Sequence, residues 1–242
     1  MQRFFLSVCI AALIASGPAS AREQAVAGNS VIGFIDAIKA DNLAYYTGRK
    51  ADFFFTLSKG QKPLATVVAC SDSRVHTNMF SADPEGRLFM VRNMGNQLAA
   101  TEGSVEYGIY HLRTPVLLII GHTRCGAISA ASSDYSKESP AIRRELDSIS
   151  IGKGLSNIEG VYANVHNQVV AAMLKFDDEL KAGKLNVIGA VLDFADDLHL
   201  GAGKLTIINV NGETDARKLE DPEALLTKPT STAAGKTKKN AR

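Results

Sequence analysis

The stretch "PVLLIIGHTRCGA", residues 115–127, decides the reading of the fold. Residues 115–121 are apolar throughout, the pattern of a strand covered on both faces, as in a parallel sheet packed between helices. The run stops at His122, turns through Thr123 and Arg124, and a helix opens at "CGAISAA" from Cys125. Strand, short turn and helix together make the repeating unit of an α/β domain. Outward from this point, "LATVVAC" (64–70) and "RLFMV" (87–91) read as further short strands. "TEGSVEYGIYHL" (101–112) takes helical spacing through Val105, Ile109 and Leu112, and so does the chain from Asn29 through Val31, Phe34, Ile35 and Ile38. From about Ile158 to Lys181 the pattern is that of one long helix. "LNVIGAVLDF" and "KLTIINV" are strand-like, and the "ADDLHLGAG" between them predicts a hairpin or an edge pairing. The expectation is an α/β fold with a central, mostly parallel β-sheet flanked by helices and no internal repeat. In such sheets chemistry gathers where strands end and turn toward helices, and Cys70 and Cys125 both lie at strand ends.

The first 21 residues read as an export signal: Arg3, an apolar stretch from Phe4 to Ile14, and Ala19-Ser20-Ala21 before Arg22. That stretch is too short to span roughly 30 Å of hydrocarbon, and no later segment is a better candidate, so no transmembrane segment is expected in the mature chain. This predicts an exported protein, most simply in a bacterial periplasm, with a single domain over residues 22–223. Residues 224–242 read as a disordered basic tail, whose Lys228, Lys236, Lys238, Lys239 and Arg242 face no acid. The net charge of +2 comes from that tail; the rest of the mature chain is acidic on balance, which argues against a nucleic-acid partner.

Cleavage removes Cys9 and leaves Cys70 and Cys125. In an oxidising compartment two cysteines suggest a disulfide, and a metal site is the rival reading. The neighbours favour metal. His122 and Cys125 are separated by two residues in a turn, which lets an imidazole and a thiolate point at one atom, while Cys70 approaches from another strand end. Two thiolates and one imidazole suit zinc, and three protein ligands leave a fourth position for water, the mark of a catalytic rather than a structural site. In "CSDSRV" (70–75), Asp72 and Arg74 share a side with Cys70, because residues two apart in an extended chain point the same way. A carboxylate there can accept a hydrogen bond from water or take the open position itself. A guanidinium can hold it in a bidentate pair. An ordinary strand-end salt bridge is the plainer alternative, and it leaves the thiol unexplained.

These residues resemble the β-class carbonic anhydrases, over roughly residues 28 to 217. The most specific parts are "CSDSRV", "VRNMGNQ" and "GHTRCGA", with weaker echoes in "EGSVEYGIYHL", "NVHNQV" and "VIGAVLDFADD". The resemblance implies one zinc ion per subunit on Cys70, His122 and Cys125, with Asp72 as a conditional fourth ligand. It implies Asp72 and Arg74 as the catalytic dyad, and reversible hydration of carbon dioxide to bicarbonate as the reaction. It also implies a homodimer or dimer of dimers with active sites at the subunit interface. Gln61 and the N–H of Gly126 match substrate-binding positions. Phe89, Met94 and Tyr107 match the apolar pocket lining, some of it from the partner subunit, with plain core roles as the alternative for Phe89 and Met94. Arg92 and Asn93 match structural positions. The branch with a bicarbonate-sensitive closed state carries tryptophan at the position of Val67, and this chain has none, so the plant-like branch fits better. The same fold acting on carbonyl sulfide or carbon disulfide, and a zinc-binding homologue without catalysis, are the competing readings. Two thiolates donate more charge than imidazoles, which predicts better activity at mildly alkaline than at acidic pH. Their closeness predicts that metal-stripped protein can be trapped as a disulfide.

Overall fold

A computed structural model describes residues 31–227; the export signal read over residues 1–21 and the tail from residue 228 lie outside the described residues. The chain through Lys59 and the chain from Gly60 form two compact units. The first contains α1 (Val31–Thr47) and α2 (Ala51–Ser58). The apolar spacing from Val31 to Ile38 predicts α1. The sequence reading has no counterpart of α2, because the successive phenylalanines of "ADFFFTLS" blur the 3.6-residue period.

The second unit is built on β1 (Ala65–Cys70), β2 (Leu88–Asn93), α3 (Glu102–Glu106, continued by a π turn over Tyr107–His111) and β3 (Val116–His122). There follow α4 (Gly126–Ala131), α5 (Pro140–Leu146), α6 (Asn157–Lys175), α7 (Asp177–Lys181), β4 (Asn186–Leu192) and β5 (Leu205–Val210). The five strands are ordered β2-β1-β3-β4-β5. The pairs β1–β2, β1–β3 and β3–β4 are parallel, and β5 runs antiparallel to β4. This is the expected mostly parallel sheet, and the hairpin expected after β4 is an antiparallel edge. The chain leaves β1 for β2 on one side and returns to β3 on the other, so the C-terminal ends of β1 and β3 frame a switch point, the usual place for a ligand crevice.

Strand alternation sorts the core into two apolar layers. Val67, Ala69 and Ile120 pack in one cluster with Cys70, Cys125, Ile128 and Val165. Val68, Leu117 and Ile119 pack in the other with Val105, Ile109, Val169 and Phe176. Helix α6 lies directly on β3 and β4 because two glycines admit it: a Cβ on Gly121 would sit 2.6 Å from Val165 Cγ2, and one on Gly189 2.7 Å from Val165 Cγ1. A Gly121→Ala change would therefore overpack the layer, at a cost of about 1–3 kcal/mol. A capping box starts α6, with Ser156 and Glu159 bonded reciprocally. The single long helix expected to Lys181 is two. Fully buried Phe176 leaves helical geometry (φ −110°, ψ 31°), and α7 starts beyond it. Periodicity carries across such a break, so the sequence hides it. At the C-terminal side, Thr227 still belongs to the packed body, its N–H donating to Asn186 Oδ1 at 2.7 Å.

Candidate metal centre

Cys70 is the last residue of β1 and His122 the last of β3, on adjacent parallel strands. After His122 the chain reverses through Arg124, a non-glycine residue in the left-handed region (φ 57°), and Cys125 caps α4. The result is a buried cluster in which Cys70 Sγ, Cys125 Sγ and one His122 ring nitrogen all lie within 4.8 Å of one another. Neither cysteine is in a disulfide.

The protonation pattern suits a metal. His122 Nδ1 lies 3.0 Å from the Thr123 carbonyl. A carbonyl only accepts, so Nδ1 carries the proton and Nε2 the lone pair. That Nε2 is buried and has no hydrogen-bond partner. An orphaned lone pair among two thiols is costly unless something electrophilic sits there. Between the cysteines, the Cys125 thiol donates to Cys70. That bond pulls Cys70 well below the usual thiol range against its burial, with help from the N–H groups of Gly95 and Asp72. The same bond and burial push Cys125 up. The two sulfurs thus share a proton that a soft divalent cation would displace. The three donors fit a zinc-type ion.

Asp72 stands beside the cluster, its Oδ2 3.9 Å from His122 Nε2. Arg74 grips it with both arms, Nε to Oδ1 at 2.9 Å and Nη2 to Oδ2 at 2.7 Å, and the Arg74 N–H adds a third bond to Oδ1 at 3.0 Å. These bonds hold the Asp72 carboxyl far below the ordinary carboxylate range, the Arg74 side chain contributing most. Arg92 holds the same turn from below, with Nε on the Cys70 carbonyl at 3.0 Å and Nη2 on the Asp72 carbonyl at 2.8 Å. Asn93 and Gln97 are buried in a network with Asn164 and Gln168 of α6, tying β2 to the helix.

These surroundings answer to a known family. A carbonic anhydrase family model matches residues 65–199, more than half of the chain and all of the cluster. The chain belongs to the carbonic anhydrase family. Among its relatives, carbonic anhydrase 2 of Mycobacterium tuberculosis is 28% identical, over 66% of this chain and 87% of that protein. A carbonic anhydrase of Mycolicibacterium smegmatis is 31% identical, over 58% of this chain and 75% of that protein. The fold is that of the β-class enzymes. A tetrameric β-carbonic anhydrase of Sordaria macrospora superimposes with a TM-score of 0.61 at 23% identity, over 73% of this chain and 96% of that one. A Coccomyxa β-carbonic anhydrase solved with acetazolamide gives 0.59 at 24%, over 82% and 93%.

The remaining expected pocket residues of this carbonic anhydrase fall into two groups. Met94 packs on the cluster that contains the thiols, and its N–H donates to Glu145 Oε2 at 3.2 Å. Gly126 opens α4 next to Cys125, and a Cβ there would meet nothing within 4 Å, so the space before it is open. Phe89 and Tyr107 meet each other, ring centroids 5.8 Å apart, but Phe89 packs on the other apolar layer. Phe89 pairs with Thr66 near the start of β1, and exposed Gln61 precedes that strand, whereas Cys70 ends it. One chain therefore does not bring Gln61, Phe89 and Tyr107 to its own Cys-His-Cys cluster.

Sequence reasoning missed three residues that shape the site. Asn157, the first residue of α6, clasps the Cys125 backbone. Its Nδ2 donates to the Cys125 carbonyl at 2.8 Å, and its Oδ1 accepts from the Cys125 N–H at 3.2 Å. Buried Asp193, just past β4, accepts from Thr123 Oγ1 and from the N–H groups of Ala195, Asp197 and Leu198. Burial raises its pKa, and the four donors outweigh that and leave it lowered. Phe194 lies against His122, ring centroids 5.4 Å apart. A carboxylate at a strand end was the one signal available for Asp193; nothing local marks the other two.

Proposed function

We propose that the chain holds one zinc ion per subunit on Cys70, His122 and Cys125 and catalyses the reversible hydration of carbon dioxide to bicarbonate and a proton. The observation that carries this reading is the buried Cys-His-Cys cluster with an Arg-gripped carboxylate at its edge. Zinc in that cluster would supply Lewis acidity, bringing the deprotonation of a water molecule toward neutral pH. Asp72, ionised and oriented by Arg74, accepts a hydrogen bond from the attacking oxygen and aims its remaining lone pair at the carbon. With both oxygens bonded to Arg74, Asp72 serves as an orienting acceptor rather than a fourth ligand. Carbon dioxide has no dipole and needs an apolar pocket, for which Met94 is at hand and the Gly126 N–H can receive an oxygen.

Gln61, Phe89 and Tyr107 complete the pocket from a second copy of the chain, consistent with their distance from the cluster within one chain. The tetrameric state of the Sordaria enzymes supports a dimer or a dimer of dimers. The export signal read over residues 1–21 supports action in a bacterial periplasm, and among the described residues no helix is long and apolar enough to cross a membrane. Stopped-flow hydration of carbon dioxide by zinc-quantified protein, beside Asp72→Asn, tests the function. Activity that falls on substitution with zinc retained is expected. Full zinc without hydration would overturn the reading.

A further inference from the structure

The Asp72–Arg74 pair poses a physical problem. Half of the Arg74 side chain is exposed, and exposed ion pairs on flexible side chains are weakly held. The geometry points to Phe194 as the positioning residue that keeps Arg74 on Asp72. The Arg74 guanidinium carbon lies over the Phe194 ring, 5.0 Å from its centroid, and the same ring lies 5.4 Å from the His122 imidazole. One ring thus backs both a metal-ligating side chain and the guanidinium that orients Asp72. A cation over an aromatic face is attracted to the ring quadrupole, so an aliphatic side chain of similar bulk does not replace it.

The ring is itself latched. The Phe194 N–H donates to Thr123 Oγ1 at 2.9 Å, and Thr123 Oγ1 donates to Asp193 Oδ1 at 3.2 Å. Four residues on, Asp197 pairs with Arg124 at 3.1 Å, and the Arg124 carbonyl accepts from Arg74 Nη2 at 3.1 Å. The loop between β4 and β5 is therefore fastened to the middle two residues of the His122–Cys125 turn and sets its ring against Arg74. Through that contact the loop holds Asp72 in its orienting position and away from direct ligation.

This inference rests on the proposed hydration chemistry, so its test includes a measurement independent of it. Phe194→Leu and Phe194→Met remove the π face, and Phe194→Tyr keeps it. Nitrogen-edited NMR of the zinc-loaded protein reads the Arg74 Nε–H, which the bidentate pair slows in solvent exchange and the ring shifts upfield. The aliphatic variants are expected to lose both effects and to drop kcat by about 5- to 10-fold with KM near the parent value, and Phe194→Tyr to stay within about twofold on both counts. A parental Arg74 signal in the folded aliphatic variants would overturn the proposal. So would loss of the signal with kcat unchanged, or a Tyr variant as impaired as the Leu variant. If the parent protein does not hydrate carbon dioxide, the proposed function fails, while the Arg74 signal still decides whether Phe194 positions the pair.

Discussion

At the end of β1, Cys70 is buried, but Asp72 is only half-buried and Arg74 lies at the surface; at the end of β3, His122, Thr123 and Cys125 are all buried and only Arg124 reaches solvent. The two ends are also held differently. The β1 end closes on itself, with Arg74 gripping Asp72 two residues back, and Arg92 of the neighbouring strand β2 steadies the turn. The β3 end is clasped from far along the chain, by Asn157 on Cys125 and Asp193 on Thr123. Under the proposed function the contrast divides labour: the buried end would bind the metal, and the accessible end, open to substrate and protons, would orient the reaction.

Changing the buried end should remove the metal itself. His122→Ala is expected to emerge from desalting without stoichiometric zinc, and equal zinc content in variant and parent would break the distinction. Metal removal from the parent has a related consequence, since the Cys125 thiol already donates to Cys70. Treating chelated protein with oxidised glutathione is expected to join the two sulfurs and release two glutathione thiols, whereas zinc-loaded protein keeps both thiols free by titration. At the accessible end, Arg74→Ala should keep its zinc and lose about 10²-fold in kcat, because Asp72 is left unoriented. A smaller effect is expected for Asn157→Ala, which loosens Cys125 without removing a ligand; competition with a chromogenic chelator should show zinc bound about tenfold more weakly. The smallest is Asp193→Asn, with a loss of about 1–2 kcal/mol of stability near neutral pH. The folded pKa of Asp193 is lowered, so its stabilisation is present above the unfolded value of about 3.9 and disappears as pH falls through the folded one. Urea midpoints of parent and variant should therefore converge on acidification below about pH 4. Midpoints that stay apart would mean that Asp193 acts through packing rather than charge.

The legibility of the molecule follows the same division. β1, β3 and the antiparallel β4–β5 edge are readable because buried strands are apolar runs closed by turn residues. Cys70, Asp72 and Arg74 are readable because a period of two puts them on one side. Helix α2 is not, since three adjacent phenylalanines carry no period, and the break at Phe176 is hidden because both helices share a phase. Asn157, Asp193 and Phe194 escape because their partners are 32, 70 and 120 residues away in the chain, at Cys125, Thr123 and Arg74.

By itself, then, the sequence determined the α/β class, the candidate donors Cys70, His122 and Cys125, and the carboxylate–guanidinium pair, all of which follow from local spacing and residue chemistry. Only the tertiary structure decided that Asp72 is gripped by Arg74 beside the cluster, that Gln61, Phe89 and Tyr107 lie away from it in one chain, and that a distant loop backs the dyad. The physical reason is that hydrogen bonds and ring contacts between remote segments exist only once the sheet has brought the ends of β1, β3 and β4 side by side.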